Sequence, residues 1–381
     1  MMGARGLALG LALVVLAALP ARGTQGISWV RLFDDGQSHL ATASSDPALV
    51  TRSWAFCPAD RMPCAPAELA WVQLGISIDL YSQRRNDPHD SIARILATSN
   101  QDVAPLATAL SEHFQRRGVT SDAQRVAFVQ GMVQGVLYEF DANTGWTDYP
   151  KFILEFLVDQ QGDCDDTAIT TTLLLQALGY ESWFVLWDSA DSGHLSTAIT
   201  PDRGDLKDVE PPADSQWVEA DGHRLLHVDA TGAPTGCGQA WVNCGGLGFN
   251  EWYKQGMELV KVVRANDPDL EEKLPLTAWS NGGFKHPDRQ FVDRRSSSDQ
   301  AIRDELQRTT TEQLEQQQRR LAELAASSVV IKPGMSPWVV YSTLGFALLV
   351  FGAAMLRALN QRRLRRQRAA ARRQEQERNR F

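Results

Sequence analysis

Three residues of this chain have the types and the order needed for nucleophilic acyl transfer: Cys164, His194 and Asp229. A cysteine thiolate can attack a carbonyl carbon, an imidazole can accept and return a proton, and a carboxylate can orient the imidazole. Such chemistry requires the three side chains to meet in space. The secondary-structure elements that carry them therefore decide whether the chemistry is available.

The segment after Gly162 predicts a helix that carries the cysteine. Asp163 is a natural N-cap, and apolar residues continue the helical spacing as far as Gly179, a typical C-terminal stop. Cys164 would then lie in the first turn, where the helix dipole favours the thiolate. The acidic neighbours Asp165 and Asp166 oppose that effect, so the thiolate needs a cationic partner.

The following segment predicts antiparallel strands that carry the other two residues. Predicted strands at 181–187 and 194–199 flank a turn-like stretch, and His194 opens the second strand. Asp221-Gly222 marks a hairpin before a strand over 224–231, which contains Asp229 near its end. Adjacent antiparallel strands would place His194 and Asp229 side by side.

An ordered set of short motifs between residues 133 and 231 resembles the bacterial and archaeal transglutaminase-like superfamily of papain-related enzymes. The set is Val133-Gln134-Gly135-Val136-Leu137-Tyr138, Asp141, Thr144-Gly145, Tyr149-Pro150, Gly162-Asp163-Cys164-Asp165-Asp166-Thr167, Ala177-Leu178-Gly179-Tyr180, Gly193-His194 and Val228-Asp229-Ala230-Thr231. The chain departs from the pattern at Asp165, where members often carry Glu, and at Ile153, where a second proline is common.

This resemblance implies an α+β fold with a papain-like core, in which a helix-borne cysteine packs on an antiparallel sheet. It implies that Cys164 is the nucleophile, His194 the base and Asp229 the orienting acid. It also implies that Gln134 is an upstream residue that stabilises the oxyanion. No cofactor and no metal are implied.

The remaining cysteines indicate an oxidising compartment. Two pairs share the spacing Cys-x6-Cys, and we expect disulfides Cys57–Cys64 and Cys237–Cys244, although four cysteines allow three pairings. A rival interpretation takes His223 and His227 with Cys237 and Cys244 as a zinc set, but this spacing matches no standard finger.

Both ends of the chain carry membrane signals. Residues 1–23 are typical of a secretory signal peptide, with a short apolar stretch over 7–19. Residues 338–356 form an uncharged run long enough to span a bilayer, followed by an Arg-rich tail. By the positive-inside rule, the tail is cytoplasmic and the body extracytoplasmic, either periplasmic or extracellular. The expected protein is a single-pass protein of the cell membrane.

In the whole chain, 46 acidic residues outnumber 38 basic ones. The 357–381 tail contains ten Arg and only two Glu, so the excess of acidic residues lies in the rest of the chain. This balance excludes a nucleic-acid-binding body. An Arg-rich composition is compatible with a bacterial source.

Changes in composition and residue spacing along the chain predict how it is divided into units. A β-like stretch up to about residue 85, including an alternating strand over 74–81, precedes two helical segments. The predicted units are a signal peptide (1–23), a β-rich then helical region (24–120), a transglutaminase-like domain (121–295), a helical stalk that could self-associate (296–335), a transmembrane helix (336–357) and a basic tail (358–381).

The expected function is therefore that of a membrane-anchored, extracytoplasmic cysteine enzyme acting on amide bonds of a peptide or protein through a thioester. With water as acceptor it would be a protease or amidase, and with an amine it would be a transglutaminase. Two alternatives stay open. The domain could be a catalytically inert binding or scaffold module, or Cys164 could exchange disulfides, although it lacks a Cys-x-x-Cys partner.

Overall fold

The structure is a computed structural model with mixed α and β elements. It describes residues 26–35, 37, 39–40, 44–61, 64, 68–138, 149–188, 193–211, 217–231, 247–248, 257–275, 315 and 319. The helices are α1 (Ile78–Asn86), α2 (Ile92–Arg117), α3 (Asp122–Gln134), α4 (Ile153–Asp159), α5 (Cys164–Ala177) and α6 (Leu270–Lys273). The strands are β1 (Ile27–Phe33), β2 (Leu49–Phe56), β3 (Ala70–Ser77), β4 (Leu137–Tyr138), β5 (Gln161–Gly162), β6 (Ser182–Asp188), β7 (Gly193–Ile199), β8 (Val218–Ala220), β9 (His223–Val228) and β10 (Glu258–Arg264).

A five-stranded antiparallel sheet carries two of the three predicted chemical residues. Its strand order is β10-β6-β7-β9-β8. The central strands β6 and β7 are buried along almost their whole length, as the apolar run in β6 predicts. Strand β7 also buries the polar residues His194, Ser196 and Thr197. The predicted hairpin between β8 and β9 is present, and Asp221 and Gly222 both have positive φ angles there, of 50° and 76°. This conformation suits a two-residue hairpin turn and favours Gly at its second position.

Helix α5 packs on this sheet and forms much of its core. Leu173, Leu174 and Ile169 are fully or almost fully buried. Thr197 of β7 lies against the helix, because its hydroxyl donates to the Ala168 carbonyl oxygen at 3.1 Å. The helix-on-antiparallel-sheet arrangement expected for an α+β core is therefore present, and the first residue of the helix is Cys164.

The N-terminal part forms a separate three-stranded antiparallel sheet, with order β1-β3-β2. The predicted strand over 74–81 was wrong at its end, because β3 stops at Ser77 and α1 begins at Ile78. The Ser77 hydroxyl accepts the Leu80 N–H at 3.3 Å and so caps the helix. The capping interaction outweighs the alternating pattern that had suggested a longer strand.

Two helices follow this sheet. Helix α2 is a single helix of 26 residues that continues through Pro105. Helix α3 begins after Ser121, and the Ser121 hydroxyl accepts the Gln124 N–H at 3.0 Å. Helix α3 runs past the end of β2 towards the sheet that carries His194.

The predicted signal peptide, transmembrane helix and basic tail lie outside the described residues, as does the stalk apart from residues 315 and 319. Among the residues that the structure describes, no helix is both long enough and apolar enough to cross a bilayer. The membrane topology therefore stays a prediction from the sequence.

The close contact between helix α3 and the Cys57 backbone can be tested at Gly131. A Cβ atom at Gly131 would overlap the carbonyl oxygen of Cys57. We therefore expect Gly131→Ala to lower the free energy of unfolding by about 1–3 kcal/mol through overpacking. Helix propensity alone would raise it by up to about 1 kcal/mol. Urea unfolding followed by circular dichroism measures the sign, with the exposed substitution Gln124→Ala as control. A stabilised Gly131→Ala protein would contradict the close contact.

Candidate active site

His194 and Asp229 form a buried hydrogen-bonded pair at the end of the five-stranded sheet. The His194 Nε2 atom lies 3.2 Å from Asp229 Oδ2. The pairing of Thr197 with Val228 fixes the register of β7 and β9, and this register brings the two residues together. The two residues are only 2% and 9% exposed, respectively. The two side chains are therefore adjacent, as the sequence predicted, and their roles as base and orienting acid stay predictions.

The surroundings of Asp229 keep its carboxylate ionised. Burial alone would raise the pKa of Asp229, but the His194 charge and hydrogen bond, the nearby His227 and the Thr231 hydroxyl together hold that pKa well below its usual range. The second carboxylate oxygen accepts the Thr231 N–H at 2.8 Å and also the Thr231 hydroxyl. Thr231 therefore fixes the carboxylate, a role that the sequence alone did not indicate.

Two glutamines of α3 hold the backbone at Asp229. The side-chain amides of Gln130 and Gln134 both donate to the Asp229 carbonyl oxygen, at 2.9 and 2.6 Å. Residues four apart share one face of a helix, which explains why both amides reach the same oxygen. Gln134 thus has a positioning contact that was not foreseen, and its expected role in stabilising an oxyanion stays a prediction. Gln130 was missed, although its i, i+4 spacing from Gln134 was a usable signal.

Cys164 lies where the sequence predicted, at the N-terminus of α5. Asp163 is the N-cap residue, and its carbonyl oxygen accepts the Thr167 N–H at 3.1 Å. The Thr167 hydroxyl donates to the Cys164 carbonyl oxygen at 3.0 Å. The Cys164 thiol is partly exposed, as a nucleophile must be to meet a substrate.

Tyr138 links the cysteine turn to Asp229. The short parallel strands β4 and β5 pair Tyr138 with Gly162, two residues before Cys164. Burial raises the pKa of Tyr138, and charges on Cys164, Asp163, Asp165 and Asp229 raise it further, in that order. The phenol therefore stays protonated at neutral pH and lies within electrostatic reach of both Cys164 and Asp229. In the sequence, Tyr138 is the last residue of one of the resembling motifs, and no separate role was predicted for it.

A buried lysine contacts the acidic first turn of α5. The Lys151 ammonium lies 2.8 Å from Asp166 Oδ2, and the Lys151 backbone N–H donates to Oδ1 at 2.6 Å. The carboxylates of Asp163, Asp165 and Asp166 each bring an oxygen within 4.8 Å of the others, close enough to attract a cation. We assign no metal to them, because the Lys151 ammonium already supplies positive charge at Asp166. Nothing in the local sequence had pointed to Lys151.

The two histidines of the zinc hypothesis lie on β9 and have other contacts. His227 is buried, 2.7 Å from the Ser196 hydroxyl, and packs edge-on against Trp187. His223 Nε2 lies 3.3 Å from the Arg264 guanidinium. The two cysteines of that set lie outside the described residues, so the set stays untested.

One of the two expected disulfides is confirmed. Cys57 and Cys64 are bonded, with their Cα atoms 5.7 Å apart. The second expected pair, Cys237 and Cys244, lies outside the described residues.

The low pKa of Asp229 predicts how stability depends on pH. A carboxylate whose pKa is lower in the folded state contributes stability above its unfolded pKa of about 4, and this contribution declines as the pH falls below that value. We expect Asp229→Asn to lower the free energy of unfolding at pH 7 by roughly 1–3 kcal/mol, with a smaller deficit at pH 3. Urea titrations at both values test this, with the exposed ion-pair residue Asp90 replaced by Asn as control. An equal deficit at both pH values would contradict the assigned charge.

Comparisons with known proteins give a weak likeness and no family. No protein-family model and no curated protein match the chain. Among solved structures, Legionella pneumophila LapG matches at 16% identity over 49% of this chain and 94% of its own, with a TM-score of 0.27. Its calcium-bound form matches at 17% identity over 46% and 96%, with a TM-score of 0.23. A structure described as a TGase matches at 17% identity over 44% of this chain and 42% of its own, with a TM-score of 0.25. At these TM-scores the matches carry no argument about the fold or the activity of this chain.

Proposed function

We propose that the chain is a transglutaminase-like cysteine enzyme that acts on amide bonds through a thioester on Cys164. The observation that carries this proposal is the buried His194–Asp229 pair, with its 3.2 Å hydrogen bond and an ionised carboxylate. The position of Cys164 at a helix N-terminus supports the proposal, because such a position favours the thiolate.

The hydrogen bonding defines the role of each nitrogen of the imidazole. Nε2 of His194 faces Asp229, so the carboxylate accepts the Nε2–H. Nδ1 is then the nitrogen that exchanges a proton with the Cys164 thiol. Thr231, whose hydroxyl lies 3.4 Å from Nε2, further restricts the ring.

The reaction follows in two steps. The Cys164 thiolate attacks the amide carbonyl, and the resulting oxyanion is stabilised by the Cys164 backbone N–H, a type of contact often worth about 3 kcal/mol. The C–N bond breaks, His194 gives its proton to the leaving amine, and a thioester remains. His194 then takes a proton from water or from an acceptor amine, which attacks the thioester and releases the thiolate.

We also propose that the body acts outside the cytoplasm, anchored by the predicted helix over 336–357. The Cys57–Cys64 disulfide supports this location, because structural disulfides persist in oxidising compartments. The remaining support is the sequence alone.

The nucleophile can be tested without knowing the substrate. The rate of Cys164 alkylation by iodoacetamide is measured against pH, with peptide mass spectrometry to separate this cysteine from the other four. We expect an apparent thiol pKa well below the ordinary value of about 8.5. We expect His194→Ala to raise it towards that value, because the imidazolium no longer stabilises the thiolate.

Asp229→Asn should fall between the wild type and His194→Ala, because the imidazole remains but is less well oriented. His223→Ala is the matched control, since that histidine lies on the same sheet but contacts Arg264. A Cys164 thiol that titrates ordinarily in the wild type, or ignores His194, would leave the inert binding module as the better account.

Hydrolysis and transamidation differ in the molecule that attacks the thioester, which is water in the first and an amine in the second. The protein is incubated with a casein substrate and a fluorescent primary amine, and both new amino termini and amine incorporation are measured. Both products should be absent with Cys164→Ala. Labelled substrate indicates transamidation, and cleaved substrate indicates proteolysis.

A further inference from the structure

Lys151 places a positive charge inside the protein beside the cysteine-bearing helix. It lies between Pro150 and the N-cap of α4, and it is only 5% exposed. Its ammonium and its backbone N–H both contact the carboxylate of Asp166, which is fully buried. Lysine is rarely buried unless its charge is paired, so this position needs an explanation.

Asp166 transmits this contact to the residue before the cysteine. Its Oδ2 atom, which contacts the ammonium, also accepts the Asp163 backbone N–H at 3.3 Å. A Cβ atom at Gly162 would overlap the same carboxylate. The turn that presents Cys164 is therefore packed and hydrogen-bonded around a single carboxylate, and Lys151 holds that carboxylate in place.

The charges near this turn are mostly negative. The titratable groups around it are Asp163 and Asp165 of the turn itself, Tyr138 on β4 within electrostatic reach of these two, and Asp229 after β9 with its partner His194 on β7, while Asp159 and Glu155 of α4 lie on the Lys151 side. Burial raises the pKa of Asp166 to about 7, although the Lys151 charge and hydrogen bonds lower it; the Asp163 charge raises it further. Without Lys151, Asp166 would be either an unpaired buried anion or a protonated acid. The first would oppose the thiolate and the second would weaken the hydrogen-bonded anchor.

We propose that Lys151 is a positioning residue for the nucleophile: its buried ammonium favours the charged form of the Asp166 carboxylate and holds it through a 2.8 Å contact, so that the α5 N-terminus can hold a Cys164 thiolate despite its acidic neighbours. The inference rests on the proposed function. It assigns to Lys151 an effect on reactivity that no local motif encodes.

Four variants of the full-length protein in mild detergent test the proposal by the pH profile of Cys164 alkylation. Lys151→Met removes the positive charge and should raise the apparent thiol pKa by about one unit, which lowers the alkylation rate about tenfold at pH values below that pKa. Lys151→Arg keeps the charge and should stay within about threefold of the wild type. Asp166→Asn removes the negative charge and should shift the thiol pKa in the opposite direction from Lys151→Met. The double variant removes both charges and should return close to the wild-type profile.

Opposite shifts of the Cys164 thiol pKa in Lys151→Met and Asp166→Asn distinguish a charge effect from a loss of folding, because unfolding would slow Cys164 alkylation in every variant. Circular dichroism checks each fold, and the double variant keeps the test informative if Lys151→Met does not fold. If His194→Ala changes the pH profile of Cys164 alkylation but Lys151→Met does not, the inference about Lys151 is overturned and the proposed function stands. Equal slowing in Lys151→Met, Asp166→Asn and the double variant would also overturn it. A wild-type thiol that titrates ordinarily would overturn the proposed function itself.

Discussion

A buried carboxylate beside a buried imidazole is the interaction on which the rest of the site depends. Removing the Asp229 charge from water costs free energy, and the protein offsets that cost with the His194 contact and two donors from Thr231. The Asp229 backbone is held as well, because Gln130 and Gln134 of α3 both donate to its carbonyl oxygen. Helix α3 therefore serves to fix the end of β9, and its packing against the Cys57 segment becomes relevant to the chemistry.

The cysteine side of the site meets the opposite electrostatic problem. A helix N-terminus attracts a thiolate, but this turn carries three aspartates, whose charges repel it. The Asp166 carboxylate points into the protein and contacts the Lys151 ammonium, whereas Asp163 is the N-cap residue of α5. One buried pair thus anchors each half of the site, and each pair joins segments that are distant along the chain.

The sequence was informative where structure is set by near neighbours. The Asp163 cap of α5, the Asp221-Gly222 turn and the adjacency of His194 and Asp229 all follow from short-range patterns and strand pairing. The contact between Lys151 and Asp166 could not be predicted in this way, because it depends on how the segment before α4 packs on α5. The misjudged end of β3 has a local cause, since alternation and the capping ability of Ser77 made competing predictions for the same residues.

The central claim is that the Cys164 thiol faces the imidazole that Asp229 orients. The most direct test is cross-linking with 1,3-dibromoacetone, which alkylates a thiol and then a nucleophile close enough to accept the other end of a three-carbon bridge. Mass spectrometry of the digested full-length protein identifies the partner. The account predicts a bridge between Cys164 and His194, absent from His194→Ala and reduced in Asp229→Asn. A singly attached reagent on Cys164, or a bridge from Cys164 to a different residue in a folded wild-type protein, would contradict it.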